Sequence, residues 1–135
     1  LLALMTLAAS TVLAEVHSTA AYDNVYDLPG LPTLDLACSN GVAGLSSTLG
    51  FDRFSQVLHY PLVGAVEKLE GWGSLSCRKC FRQSGQSINI VTVDQGDTGF
   101  VLSLAALDQL TGGQGQVLGR VDVRYEEIGG WECGL

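Results

Sequence analysis

Four cysteines, Cys38, Cys77, Cys80 and Cys133, set the first constraint on this chain of 135 residues. In a short secreted chain, four cysteines read first as two disulfides, for which three pairings exist. A bridge from Cys77 to Cys80 closes a very small loop. Joining each of them to a distant cysteine closes loops of tens of residues, each worth roughly 4 kcal/mol in the chain-entropy account. Ties from the centre of the chain towards its two ends are therefore favoured. The Cys77-x-x-Cys80 pair has two other uses, a redox site or half of a zinc site. No clear helix follows Cys80, the other two cysteines are isolated, and the two histidines, His17 and His59, have no partners at ligand spacing. Structural disulfides are expected, with no metal and no cofactor.

The oxidising compartment has its own signal. Leu1 to Ala14 carries no charge and is mostly Leu, Ala and Val, ending in Val12-Leu13-Ala14. That pattern reads as the apolar region and cleavage site of a secretory signal over residues 1–14, followed by one domain over 15–135. A transmembrane anchor needs about 18 or more apolar residues, and Glu15 and His17 cut the run short. The mature chain of about 120 residues suits one domain with a modest core.

Charge narrows the partners. Fourteen acidic residues stand against seven Lys and Arg, a net charge of −7, a field that repels a bare phosphate backbone and points away from nucleic acid. The same field tolerates a neutral polysaccharide and repels a polyanionic one. No Asn-x-Ser/Thr acceptor for N-glycans occurs.

Along the chain the periodicities are short. Ile88-Asn89-Ile90-Val91-Thr92-Val93 has the composition of a central strand, and it stops at Asp94, ahead of the turn-forming Gln95 to Gly99. A strand around Tyr22 to Tyr26, a Pro29-Gly30 turn and a second strand through Leu34 and Leu36 are expected before Cys38. Ser39-Asn40-Gly41 reads as a tight turn, Gly44 to Gly50 as a loop, and Asp52 to Leu58 as a short helix capped by Asp52. Trp72, between Gly71 and Gly73, is a core plug or a sugar-stacking platform, and Ser84 to Ser87 is a hairpin turn. Leu104, Leu107 and Leu110 mark a helix starting near Ser103, with Asp108 towards solvent and Gly112-Gly113 ending it. Val121, Val123 and Tyr125 alternate with Arg120, Asp122 and Arg124, a strand with one wet face. Short strands that must hide their edges close naturally into a small barrel, so the class is mainly β with short helices.

Tyr22-Asp23, the Cys38-Ser39-Asn40-Gly41 turn, Gly71-Trp72, Cys77-x-x-Cys80, Asp94, Gly99-Phe100 before the Ala105-Ala106 helix, Leu118-Gly119-Arg120-Val121-Asp122 and the terminal Cys133-Gly134-Leu135 together resemble the cerato-platanin family. The resemblance covers essentially the whole mature chain. It implies a small secreted fungal protein with a double-psi β-barrel, similar to the first domain of expansins, with Cys38 paired to Cys77 and Cys80 to Cys133. It further implies binding of chitin or cellulose-type oligosaccharides in a shallow groove, loosening without recognised hydrolysis, self-assembly at interfaces, and elicitation of plant defence or virulence. Asp94 matches the family's groove aspartate. The chain departs from the family pattern at Trp72-Gly73 and at Cys77-Arg78-Lys79-Cys80-Phe81, where basic residues and a phenyl ring replace small or polar positions and an indole.

A neutral glycan needs planar polar groups for its hydroxyls and an aromatic surface. Tyr22, Asp23, Asn40, Asp94 and also Tyr26 supply the right kinds of group, with few aromatics and hence weak affinity, about micromolar to millimolar. Glycoside hydrolysis needs a pair of carboxyl groups. Asp94 would be one, yet Asp97 lies in a turn, and Asp23 and Asp122 could approach only through the fold. A non-catalytic binding protein is the expected class, with a weak hydrolase acting through Asp94 as the alternative. Asp94 also has a plainer role open to it, accepting backbone N–H bonds after the strand.

Overall fold

The computed structural model describes residues 16–39, 44–57, 59–67, 77–84 and 87–134. Residues 1–15, Asn40, Leu58 and the Gly71-Trp72-Gly73 segment lie outside the described residues, so the expectations placed on the leader, on Asn40, on Leu58 and on Trp72 fall outside them too. Six strands are found among those described: β1 (Val16–Tyr22), β2 (Val63–Val66), β3 (Cys80–Gln83), β4 (Ile88–Gln95), β5 (Phe100–Leu102) and β6 (Arg120–Ile128). They close in the order β1-β5-β2-β4-β3-β6, with β6 returning to β1. Pairs β1–β5 and β2–β4 are parallel and the remainder antiparallel. Among the described strands closure leaves no edge unpaired, which is how such short strands persist in water.

The Ile88 run behaves as its composition predicts. Ile90, Val91 and Val93 are fully buried, because β4 faces the barrel interior on one side and packed loops on the other. In β6 Val123 is buried while Arg120, Asp122 and Arg124 are exposed, so the period-two reading holds. The helix α2 (Leu104–Thr111), which lies between α1 (Leu45–Leu49) and α3 (Gly115–Leu118) in the chain, starts where expected. Ser103 Oγ accepts from Ala106 N at 3.0 Å, and Ala106, Leu107 and Leu110 are buried. Both predicted disulfides are present, Cys38–Cys77 and Cys80–Cys133, with Cα atoms 5.4 and 5.9 Å apart.

Glycine is required at one point in the wall of the barrel. A Cβ on Gly64 would stand 2.7 Å from the Val101 carbonyl oxygen, and the register shifts between Gly64 and Ala65. Only a bare backbone lets β2 bend there between β4 and β5.

Several local expectations differ from the structure. The strand placed around Tyr22 to Tyr26 begins earlier, at Val16, and Asn24–Asp27 forms a 3-10 turn instead. The cause is Asp23, whose carboxylate accepts from Val25 N at 2.9 Å and starts a helical turn. Leu34 and Leu36 do not form a strand: Thr33–Asp35 is a 3-10 turn after Pro32, and Leu34 is exposed while Leu36 is buried. The Gly44 to Gly50 loop contains α1, which Gly50 ends in the left-handed conformation. The Asp52 helix shrinks to a 3-10 turn, Phe54–Gln56, and Asp52 does not cap it; Gln56 Oε1 accepts from Asp52 N at 2.7 Å. Asp108 is not simply directed to solvent, since its Oδ1 accepts from Gly115 N at 2.9 Å and links α2 to α3.

Candidate functional site

Asp94 sits one residue from the end of β4, half-buried, where the strand leaves the barrel. Each oxygen has a protein donor. Tyr26 Oη donates to Oδ2 at 2.7 Å, and Ala37 N donates to Oδ1 at 2.8 Å. One carboxylate thus fastens the Asn24–Asp27 turn and the segment before Cys38 to the central strand. The adjoining Cys38 N donates to Val93 O at 3.2 Å, and the Cys38–Cys77 bridge continues the same tie. A carboxylate carries about four acceptor positions. Two are taken among the described residues, so this half-buried group keeps further acceptor capacity.

Tyr26 is 6 % exposed. Burial pushes its hydroxyl pKa well above the ordinary tyrosine value, and the hydrogen bond to Asp94 and the nearby charges of Asp94 and Asp23 push the same way. It is therefore a neutral donor at any physiological pH, fixed in direction by its acceptor. Asp23 is exposed beside it, and Asp23 N donates to Leu102 O at 3.0 Å, which holds the turn against β5. Tyr22 ends β1 opposite Leu102, with its ring half-buried against the core. Tyr22 and Asp23 thus lead from β1 into the turn whose Tyr26 is bonded to Asp94 of β4. Asn40 lies outside the described residues.

Two neighbouring groups act as supports. Asp27 accepts from Leu104 N at 2.7 Å and Ala105 N at 3.0 Å, capping α2, while its carbonyl accepts from Tyr60 Oη at 2.6 Å. No pattern in the sequence points to this cap, because 77 residues separate the partners. His59 Nε2 lies 2.8 Å from the Asn89 carbonyl, a bond in which the ring must be the donor. Among the described residues no group of three or more His, Cys, Asp or Glu could hold a metal ion.

The departures at Arg78, Lys79 and Phe81 separate on inspection. Phe81 turns into the barrel, edge-on to Phe100 and Tyr125 at centroid distances of 5.6 and 5.8 Å, so it is core rather than groove. Lys79 Nζ pairs with Glu127 at 2.8 Å. Arg78 has a left-handed backbone, φ 60°, a feature composition does not reveal. Two shallow clefts lie elsewhere. One, of about 360 Å³, is lined by Ser87, Ile88, Asp108, Gln109 and Gly112; the other, of about 310 Å³, by His17, Ser84, Asp122, Val123 and Arg124.

The sequence profile described as Cerato-platanin matches residues 18–135. A heat-stable 19 kDa antigen of Coccidioides posadasii is 35% identical over 117 residues, covering 85% of this chain and 80% of its own length. Cerato-platanin 2 of M. perniciosa superimposes with a TM-score of 0.84 at 33% identity, covering 89% of this chain and 100% of that structure. The fungal elicitor Cerato-Platanin superimposes with a TM-score of 0.76 at 34% identity, covering 85% of this chain and 95% of that one. An expansin of Clavibacter michiganensis, whose mutant was crystallised with cellohexaose, shares the fold at 17% identity with a TM-score of 0.56, covering 86% of this chain and 51% of its own.

Proposed function

Because the chain belongs to the cerato-platanin family, we propose that it is a secreted, non-catalytic carbohydrate-binding protein that loosens or holds chitin- or cellulose-type polysaccharide. The observation that carries the reading is the Asp94 carboxylate. It is clamped by Tyr26 and Ala37 one residue from the end of β4, with spare acceptor positions, and Tyr22 and Asp23 lead directly into the turn that carries Tyr26. Such a site binds hydroxyls without reacting. Both carboxylate oxygens already accept from the protein, and the acceptor of a sugar hydroxyl need not be the acid that protonates a leaving group. The mixture of parallel and antiparallel pairs around six strands supports a double-psi barrel, the form expected of the expansin first domain.

The test is an NMR titration of the mature protein with chitin and cellulose oligomers, run on wild type and on Asp94→Asn. Shifts clustered around Tyr22, Asp23, Tyr26 and Asp94, weakened in the variant, support the proposal. Reducing ends released from either polymer would instead favour a hydrolase using Asp94.

A second reading is compatible with the first. Relatives are named as an antigen and as a fungal elicitor, which favours a surface perceived by a plant or other host. That activity need not use the Asp94 end. A host response that survives Asp94→Asn would separate the two, and its loss would join them.

A further inference from the structure

We propose that Arg78 is a specificity residue that pairs with the carboxylate of a hexuronate unit in a glycan seated at the Asp94 end of the barrel; this rests on the glycan-binding reading of that site. Three independent features of Arg78 point to it.

The first is its backbone. Arg78 is, among the described residues, the non-glycine residue with positive φ, at 60°. Any L side chain crowds its own carbonyl there, and glycine does not. The conformation is imposed from both sides. Cys77 is tied to Cys38, Arg78 N donates to Thr92 O at 3.0 Å, and Thr92 N donates to Lys79 O at 3.0 Å. A large cation thus occupies a position whose geometry suits glycine, and strain of this kind gathers at functional sites.

The second is its missing partner. Arg78 Nε is buried without an acceptor. The neighbouring cations are satisfied: Lys79 by Glu127 at 2.8 Å, Arg82 by Glu126 at 2.9 Å and Glu132 at 3.1 Å, and Arg120 by Thr19 Oγ1 at 2.7 Å and Thr98 O at 3.2 Å. Among the described residues no carboxylate pairs with this guanidinium. Nε itself is closed to an outside anion, and the half-exposed residue leaves its terminal guanidinium nitrogens for such a pairing.

The third is its place. Thr92, which holds Arg78, is two residues before Asp94 on β4, a backbone separation of roughly 7 Å. Cys77 is bridged to Cys38, and Ala37, next to Cys38, donates to Asp94. Arg78 and Asp94 therefore flank one disulfide, the second offering acceptors for hydroxyls and the first a planar donor fork. A guanidinium grips a carboxylate with two parallel bonds, whereas a hydroxyl or an acetamide takes one.

The acidic field of the whole chain acts against dense polyanions, but at physiological salt it is screened beyond about 8 Å. Contact pairing acts inside that distance. The favoured ligand is then a short or sparsely charged oligosaccharide.

The experiment compares trigalacturonate, its methyl ester, and neutral chitin and cellulose oligomers, titrated by NMR against wild type and Arg78→Gly. The glycine variant keeps the left-handed backbone and removes the guanidinium. Wild type should bind the acid about tenfold or more tightly than the ester. Arg78→Gly should abolish that difference while binding the ester and the neutral oligomers as before. Equal affinity of wild type for acid and ester, or an equal loss for both in the variant, overturns the assignment of Arg78 and leaves the neutral-glycan site standing. If no oligomer of either kind moves resonances around Asp94, the glycan site and the Arg78 assignment fall together.

Discussion

Replacing Asp94 by alanine should unfold part of the site as well as empty it. The carboxylate is the acceptor for Tyr26 Oη and Ala37 N, and those residues are only 6 % and 7 % exposed. Alanine strands both donors away from water. Each such loss costs about 1 to 3 kcal/mol, and the two share one space, so the total should be about 2 to 5 kcal/mol. For a domain of this size that lowers the thermal midpoint by roughly 8 to 20 °C. Asparagine behaves differently. Its carbonyl keeps the bond from Ala37 N, while its amide takes away the acceptor of the Tyr26 O–H, so one donor is stranded rather than two and the cost is about 1 to 3 kcal/mol. Thermal and urea unfolding of wild type, Asp94→Ala, Asp94→Asn and Tyr26→Phe, all with disulfides oxidised, measures the set. An Asp94→Ala protein melting within about 2 °C of wild type would refute the reasoning, because the ledger of buried donors demands more. The functional consequence is direct: loss of sugar binding is interpretable in the asparagine variant and ambiguous in the alanine one.

Gln83 is fully buried in β3 with neither its amide nitrogen nor its amide oxygen partnered, on the interior side shared with Phe81. Gln83→Leu should therefore stabilise the protein, by about 1 to 3 kcal/mol in urea unfolding; a neutral or destabilising result would mean that the amide is hydrogen-bonded in solution. Alkaline stability tests the tyrosines. Tyr26 and Tyr60 both have pKa values raised above the ordinary 10.0, first by burial and then by Asp94 and Asp27 respectively. The unfolded chain gives up these protons near pH 10 while the folded one retains them. The stability they contribute is therefore whole below about pH 10 and drains as pH rises beyond it, by up to about 1.4 kcal/mol per pH unit for the buried Tyr26 and by less for Tyr60, which solvent screens. Urea midpoints from pH 9 to 11 should fall less steeply in Tyr26→Phe, and an unchanged slope would contradict the assignment.

Much of the fold was legible because its signals are local. The β-branched run from Ile88, the alternation from Val121 to Tyr125 and the Ser103 cap each depend on neighbours a few residues away, and each appears where expected. Readings failed where one polar side chain outweighed an apolar pattern. Asp23 converts Asn24–Asp27 from strand to turn, and Pro32 with Thr33 does the same to the Leu34 and Leu36 alternation, which looks like a strand although only Leu36 is buried. The short helix α1 hid inside a Gly and Ser stretch because its stop signal, Gly50, reads equally well as loop.

By itself the sequence determined an oxidised, cysteine-tied β domain and named Asp94 and its aromatic and acidic company as the groups worth following. Composition, strand periodicity and motif order are properties of the chain in one dimension, so they survive without coordinates. Tertiary structure alone decided that Asp94 is held by Tyr26 and Ala37, 68 and 57 residues away, that Phe81 belongs to the core, and that Arg78 stands on a left-handed backbone with no ion pair among the described residues. The reason is that hydrogen-bond satisfaction and backbone strain are set by which distant segments closure of the barrel brings within about 3 Å of one another, and no local pattern encodes that distance.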